Sequence, residues 1–379
     1  MSTSRRFDLA VIGAGIVGLS SALAAARRGK RVVVIERDAQ ANGASVRNFG
    51  FITVTGQAAG DMWRRARRSA EVWVEVAAET GLPILHRGLL LAVRRPESVD
   101  VLEAFARTEM GGECRLLTAG ELKLRQPELA TSACLAALWS PHELRVESRE
   151  AIPRLAAWLA ARHGVEFHWE TAALDVEAGK VATTRGAVEA EAIAVCPGDD
   201  LFGLFPDRIA AHGVTRCKLQ MLRLADPGFR LSAGVMSDLG LVRYAGYAAL
   251  PEAAALRARL EGEQPGQLAH GVHLIAVQSA DGSLVVGDSH HYAPTPDPFA
   301  HEAVDRLILD EYEAVFRGAA PTVVERWTGT YASAADRTVV VDAPASGVRL
   351  VMVTTGAGAS TGFAIGEEVV ADLFGGARA

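Results

Sequence analysis

The chain has 379 residues, 49% of them hydrophobic and 22% charged, with a formal net charge of -6. That balance is ordinary for a soluble globular protein of one large or two smaller domains, and its acidic sign argues against nucleic acid as a main partner. No uninterrupted apolar run reaches the ~20 residues that span a bilayer, and the four cysteines (Cys114, Cys134, Cys196 and Cys217) match no zinc spacing and suit a reducing cytoplasm.

"FDLAVIG" reads as a buried parallel strand, apolar throughout after Asp8. "GAGIVGLSSALAAARRG" then reads as a tight turn into an alanine-rich helix that stops at Gly29, and "KRVVVIE" as a second buried strand. Arginines ahead of an apolar stretch mimic a signal peptide, but the glycine spacing and the second strand argue for a βαβ unit. Gly13 permits the turn, Gly15 lets backbone approach a pyrophosphate, and Gly18 lets helix and strand pack closely. Glu36 follows Gly18 by 18 residues, where an acid can accept hydrogen bonds from an adenosine ribose. The unit predicts dinucleotide binding at a helix N-terminus.

Residues 38–60 read as a long polar loop, and a helix is expected over about 61–80. Its basic run "RRARRS" is expected to be a solvated helix face. Mixed segments run to about 140; then come a helix over 149–164, a strand in "VEFHWET" and a buried strand in "AEAIAVCPG" that ends at Gly198. Residues 211–292 are strand-rich, 301–317 helical, and "VRLVMVTTGAGASTGFAIGEEVVADLF" gives a strand, a glycine-rich turn and a helix. Dinucleotide-type elements thus lie at both ends and in the middle, with a β-rich module interleaved: α/β, with an α+β second part.

"VVGDSHHYAPTPDPF" crowds Asp288, Ser289, His290, His291 and Tyr292 together. In an extended chain neighbours point to opposite faces, so these residues cannot form a hydrolase triad. No HxH or HExxH pattern accompanies them, and no metal is expected. If the strand persists, Asp288, His290 and Tyr292 share one face, toward a cavity. In "TRCKLQMLRL", Lys218 shares a face with Gln220, which suggests a wall on a polar cavity and an anchor for a substrate anion.

"VIGAGIVGLSSALAAARRGKRVVVIER", "GASVRNFG", "AIAVCPG", "ERWTGTYAS" and "TTGAGASTGFAIGEEVV" resemble the D-amino-acid oxidase family of FAD enzymes, the group with glycine and sarcosine oxidases. The resemblance covers nearly the whole chain and implies a glutathione-reductase-type fold. A Rossmann-like FAD-binding domain (1–84, 142–210 and 323–379) would interleave with a β-rich substrate-binding domain (85–141 and 211–322). It implies oxidation of a small-molecule amine by hydride transfer to flavin N5, with oxygen or another acceptor reoxidising the flavin. Gly13, Gly15, Gly18, Glu36, Arg37 and Gly198 would bind FAD, with the first three at its pyrophosphate and Glu36 at its ribose. Ser45, Arg47 and Asn48 would run along the cofactor toward the flavin, with Arg47 at the pyrophosphate, the flavin or a substrate anion. Gly356, Gly358, Ser360 and Thr361 would place a helix N-terminus at the flavin. Some relatives hold flavin through a cysteine near Gly329; glycine here implies non-covalent FAD. Lys218, His290, Tyr292, Trp327 and Tyr331 would form the substrate pocket.

"SVRNFGFITVTGQAAG", "WSPHELRVESREAIP", "KLQMLR" and "GDSHHYAPTPDPF" look like one branch of that family, associated with phosphonate breakdown. "FITVTG" departs from the branch, with small β-branched residues where an aromatic and a proline are expected. The branch implies an N-methylated aminoalkylphosphonate as substrate; a D-amino acid, glycine or sarcosine is the alternative.

Overall fold

The apolar FDLAVI run becomes the strand Phe7–Ile12, buried along its last four residues. It lacks polar alternation because it sits inside a mainly parallel sheet covered on both faces. The computed structural model describes residues 6–129 and 132–375. The main path of this first sheet runs Val339–Asp342, Val348–Val353, Gly186–Val195, Phe7–Ile12, Val32–Ile35 and Glu166–His168. Neighbours along the path are parallel except at the Val339–Asp342 edge. Only three residues of "VEFHWET" join it.

One face of the sheet is covered by the helices Ile16–Arg27, Asp61–Thr80, Ser148–His163 and Gly358–Phe374, which share a core with Leu9, Val11, Val32 and Val34. The first and last of these approach closely because their contact is built from small residues. A Cβ on Gly366 would stand 2.6 Å from the Ser20 carbonyl carbon. The basic run differs from its expected role. Arg65 forks onto Glu368 (2.8 and 2.8 Å) and Arg68 onto Glu367 (3.0 and 2.9 Å), so two of its arginines clamp Asp61–Thr80 to the C-terminal helix.

The second sheet is mixed. Its path runs His291–Ala293, Thr215–Leu224, Leu284–Gly287, Ile275–Gln278, Gly234–Ser237, His86–Val93, Ala136–Arg145 and Phe51–Ile52. Val323–Ser333 pairs along the length of Thr215–Leu224. Phe51–Ile52 and Val323–Ser333 therefore belong to this sheet, inside segments that the sequence partition gave to the cofactor domain. Both are crossing segments that carry the chain between the two sheets. The stretch 211–292 is also less uniformly extended than expected. It contains the helix Ala253–Glu263, whose AAALRARLEGE sequence is rich in good helix formers.

The strand expected through "GSLVVGDSH" stops at Gly287 and resumes at His291. Thr215–Leu224 pairs with both pieces on the same edge: Met221 lies opposite Gly287, and Lys218 opposite His291. Two residues, Leu219 and Gln220, thus face three, Asp288, Ser289 and His290. This is a β-bulge, which breaks the alternation assumed for a continuous strand. The Gln220 N–H donates to Ser289 Oγ (3.2 Å) across the gap.

Candidate functional site

A cleft of about 430 Å³ runs from the first glycine turn to the bulge, and both sheets line it. Its nucleotide end is shaped by backbone contact. Gly13 has φ +100°, and a Cβ there would stand 2.4 Å from the Cys196 carbonyl oxygen; one on Gly18 would stand 1.9 Å from the Gly13 oxygen. Only glycine allows this turn. Ser45 Oγ accepts the Ile16 N–H (2.9 Å) and caps the first helix from the following loop. Glu36 is held beside the turn by the N–H groups of Ala14 (2.8 Å) and Asp38 (3.1 Å). Arg37 lies apart from the lining residues, 62% exposed and paired with Asp200. A tight glycine turn, a helix start and a fixed carboxylate fit the pyrophosphate and ribose of FAD.

Along the middle, Arg47, Asn48, Gly198, Gly356, Gly358 and Ser360 line the cleft. Asn48 braces its own loop, donating to the Ala44 oxygen and accepting from Gly50 N–H. Ser360 Oγ accepts the Thr53 N–H (2.9 Å). Thr361 is buried and bonds only within its helix, to the Ala357 oxygen. A Cβ on Gly356 would press within 3.1 Å of the Tyr331 ring, so the glycine leaves room for that aromatic wall. Cys196 borders the cleft, and burial pushes its thiol up to about 12.

The far end gathers Arg243, Tyr244, His273, Asp288, His290, Tyr292 and Tyr331. Asp288 and His273 exchange backbone hydrogen bonds in both directions (3.0 and 3.3 Å), which sets them as a cross-strand pair on one face. Arg243 follows a short 3₁₀ turn, Asp238–Val242, and its Nη2 donates to the Tyr292 hydroxyl (3.2 Å). His290 Nδ1 lies 2.9 Å from the Gly271 oxygen. A carbonyl only accepts, so Nδ1 carries the proton and Nε2 presents its lone pair. That lone pair is 3.8 Å from Asp288 Oδ2.

Burial raises the Asp288 carboxyl to about 7, even with Arg243 pulling it down. Burial, then Arg243, hold His273 and His290 well below the usual imidazole range. His273 Nδ1 comes within 3.3 Å of Asp288 Oδ1 without forming an aligned hydrogen bond. Both ring nitrogens of His273 and Asp288 Oδ1 are buried with no hydrogen-bond partner among the described residues. Such orphans are rare in folded proteins, and several side by side point to a ligand. Their atoms and those of His290 lie within 4.8 Å of one another. A metal cation would meet the Arg243 charge that already depresses protonation of both imidazoles.

Of the expected pocket residues, His290, Tyr292 and Tyr331 line the cleft, and Lys218 and Trp327 do not. The alternation of Thr215–Leu224 is regular, but Leu219 takes the cleft face. Lys218 Nζ turns the other way and donates to the Asp297 (2.7 Å) and Phe299 (2.8 Å) carbonyls. Gln220 beside it bonds Asp305 and His301. Trp327 lies beneath the Arg47 loop, its Nε1 donating to the Arg47 oxygen (3.1 Å). Sequence reasoning missed Arg243, Tyr244 and His273. The available signal was a lone histidine in "GVHLIAVQS", on the same face as the cleft-lining Ile275.

Residues 8–373 match the family described as FAD dependent oxidoreductase (DAO). A glycine oxidase of Geobacillus kaustophilus (strain HTA426) is 26% identical over 209 residues, 52% of this chain and 55% of that protein, so the match spans about half the length of that curated relative. The structure of glycine oxidase from Bacillus cereus ATCC 14579 aligns with a TM-score of 0.78 at 17% identity, over 98% of this chain and 96% of that one. L-proline dehydrogenase from P. horikoshii aligns at 0.77 with 19% identity, over 98% and 94%. At these identities the solved structures speak for the fold. Among the described residues, no helix is long and apolar enough to cross a membrane.

Proposed function

The chain belongs to the DAO family of FAD-dependent oxidoreductases, and from that premise we propose that it oxidises the C–N bond of a small amine with an anionic end. The observation that carries this reading is Arg243, a permanent cation at the end of the cleft remote from the glycine turn, ringed by Tyr244, Tyr292 and Tyr331. Bound FAD supplies a hydride acceptor for the carbon beside nitrogen, and the resulting imine hydrolyses to a carbonyl. The chain's own part is to hold and orient. Gly13, Gly15 and Gly18 receive the pyrophosphate, and Glu36 the ribose. Arg243 and Tyr292 grip the substrate anion, and Tyr331 walls the reacting end.

For the substrate we favour an aminoalkylphosphonate, N-methylated in the form that the sequence suggests. Arg243, Tyr244, Tyr292 and the unpartnered His273 surround the anionic end from several directions, which suits a tetrahedral oxyanion better than a flat carboxylate. A second reading, oxidation of glycine, sarcosine or a D-amino acid, draws support from the similarity to glycine oxidase. A cytoplasmic location is part of the proposal, in keeping with four free cysteines. Oxygen is the simplest acceptor, testable as peroxide formation.

The deciding experiment is anaerobic flavin bleaching by N-methylaminoethylphosphonate, its primary amine, sarcosine, glycine and D-alanine. The phosphonates are expected to bleach the flavin at the lowest concentrations, and Arg243→Met to raise the half-saturating concentration about 100-fold, the scale of a lost charge-assisted pair. Bleaching by the amino acids alone would remove the phosphonate reading. A flavin that no amine bleaches would leave a cofactor-binding protein without amine turnover.

A further inference from the structure

We infer that Asp288, steered by His290, takes the ammonium proton that a substrate amine loses before its neighbouring C–H bond is broken; the inference rests on the amine reading above. Near neutral pH an alkylamine, with a pKa of roughly 10, is almost wholly protonated. Its nitrogen then has no lone pair to stabilise the positive charge that grows on carbon as hydride leaves. Something at the site must accept that proton, or only the scarce neutral amine reacts.

The geometry points to Asp288. It borders the cleft at 4% exposure, and its Oδ1 has no hydrogen-bond partner among the described residues. Arg243 borders the same end of the cleft, so an amine gripped there by its anionic tail has its nitrogen within the same enclosure. The step balances simply. One N–H bond of the ammonium breaks, its electron pair stays on nitrogen, and an O–H bond forms on Asp288; nothing is oxidised or reduced. His290 acts through the carboxyl. Its Nδ1–H is tied to the Gly271 oxygen, which leaves Nε2 unprotonated 3.8 Å from Asp288 Oδ2, so a small approach of the two side chains gives the acquired proton an acceptor.

The groups that face Asp288 come from every neighbouring segment. Arg243 and Tyr244 reach it from the turn after Asp238–Val242, His273 from the segment just before Ile275–Gln278, His290 from the bulge and Cys217 from Thr215–Leu224. Arg243 is the one fixed charge among them, and it favours the carboxylate. Burial opposes it, and the balance places the Asp288 carboxyl near neutrality, where a general base is most effective.

The test compares FAD-loaded wild type with Asp288→Asn in anaerobic rapid mixing across pH 6–10 with an amine that bleaches the wild type. Wild-type bleaching at saturating amine is expected to rise to a plateau with an inflection near neutrality. In Asp288→Asn the inflection moves up toward the amine's own pKa of roughly 10. Bleaching at neutral pH falls about 100- to 1,000-fold and recovers in alkali. His290→Gln, which keeps the carboxylate, shifts the inflection without abolishing the neutral-pH rate. A second readout needs neither cofactor nor turnover: infrared difference spectra of the cofactor-free protein show a protonated-carboxyl band that fades above neutral pH and is absent from Asp288→Asn. Identical pH profiles in wild type and Asp288→Asn, or no such band, overturn the inference while the amine reading stands. A wild type that no amine bleaches overturns both.

Discussion

A carboxyl enclosed beside an arginine and two imidazoles makes the site's own contribution to stability depend on pH. Asp288 titrates near 4 in an unfolded chain and at about 7 in the fold. The folded state therefore binds the extra proton between those values. Stability from this group is fully present below about pH 4 and is lost as pH rises through 7, by roughly 4 kcal/mol at most. His273 and His290 have the opposite sign: their folded values lie below the unfolded one, so their contribution is lost as pH falls. Comparing wild type with Asp288→Asn cancels the histidines. Thermal melts of the cofactor-free protein should show Asp288→Asn more stable at pH 8 and equal at pH 4. Equal melting at both pH values would mean that the carboxylate is not strained by its burial.

Elements explain what the sequence made legible. The βαβ turn, the helix Asp61–Thr80 and the closing strand–turn–helix carry their signals locally, in glycine spacing and apolar period, and they form as read. The alternation of Thr215–Leu224 was equally legible, yet not which face is wet. That depends on the helix Glu302–Val315 and the preceding loop, which cover the Lys218 side. The bulge at Asp288–His290 was beyond reach for a similar reason. One extra residue in a ladder is defined only against its partner strand, and it decides where these side chains point. Arg243, Tyr244 and His273 come from unrelated short segments and meet only in three dimensions. Lys218→Met is accordingly expected to leave the half-saturating amine concentration within about two-fold. It should lower stability by only about 1 kcal/mol, because the Asp297 and Phe299 carbonyls it releases belong to exposed residues and can turn to water. A combined melt and steady-state assay checks both; a large rise in half-saturation would return the lysine to the pocket.

At the scale of the whole molecule, the cleft is a seam between two sheets, and its lining comes from residues as distant as Gly15 and Ser360. A ligand that fills the seam stabilises the folded state only, by about 2.7 kcal/mol at a hundredfold excess over its dissociation constant. FAD should raise the melting temperature of the cofactor-free protein. In Gly18→Ala that rise should vanish, because the added methyl would collide with the Gly13 carbonyl oxygen at 1.9 Å. Differential scanning fluorimetry with and without FAD measures both; a full rise in the variant would mean that FAD does not depend on the turn.

The clamp of Arg65 and Arg68 on Glu368 and Glu367 bears on how such a protein is made. The helix that carries those glutamates packs on the first helix of the chain and supplies the wall over the cofactor cleft. A nascent chain must emerge from the ribosome through Phe374 before the nucleotide turn at its other end has a complete cleft behind it. Until then the flank of the first helix that this later helix covers stays open to water, and the cleft lacks the wall that Gly358 and Ser360 supply.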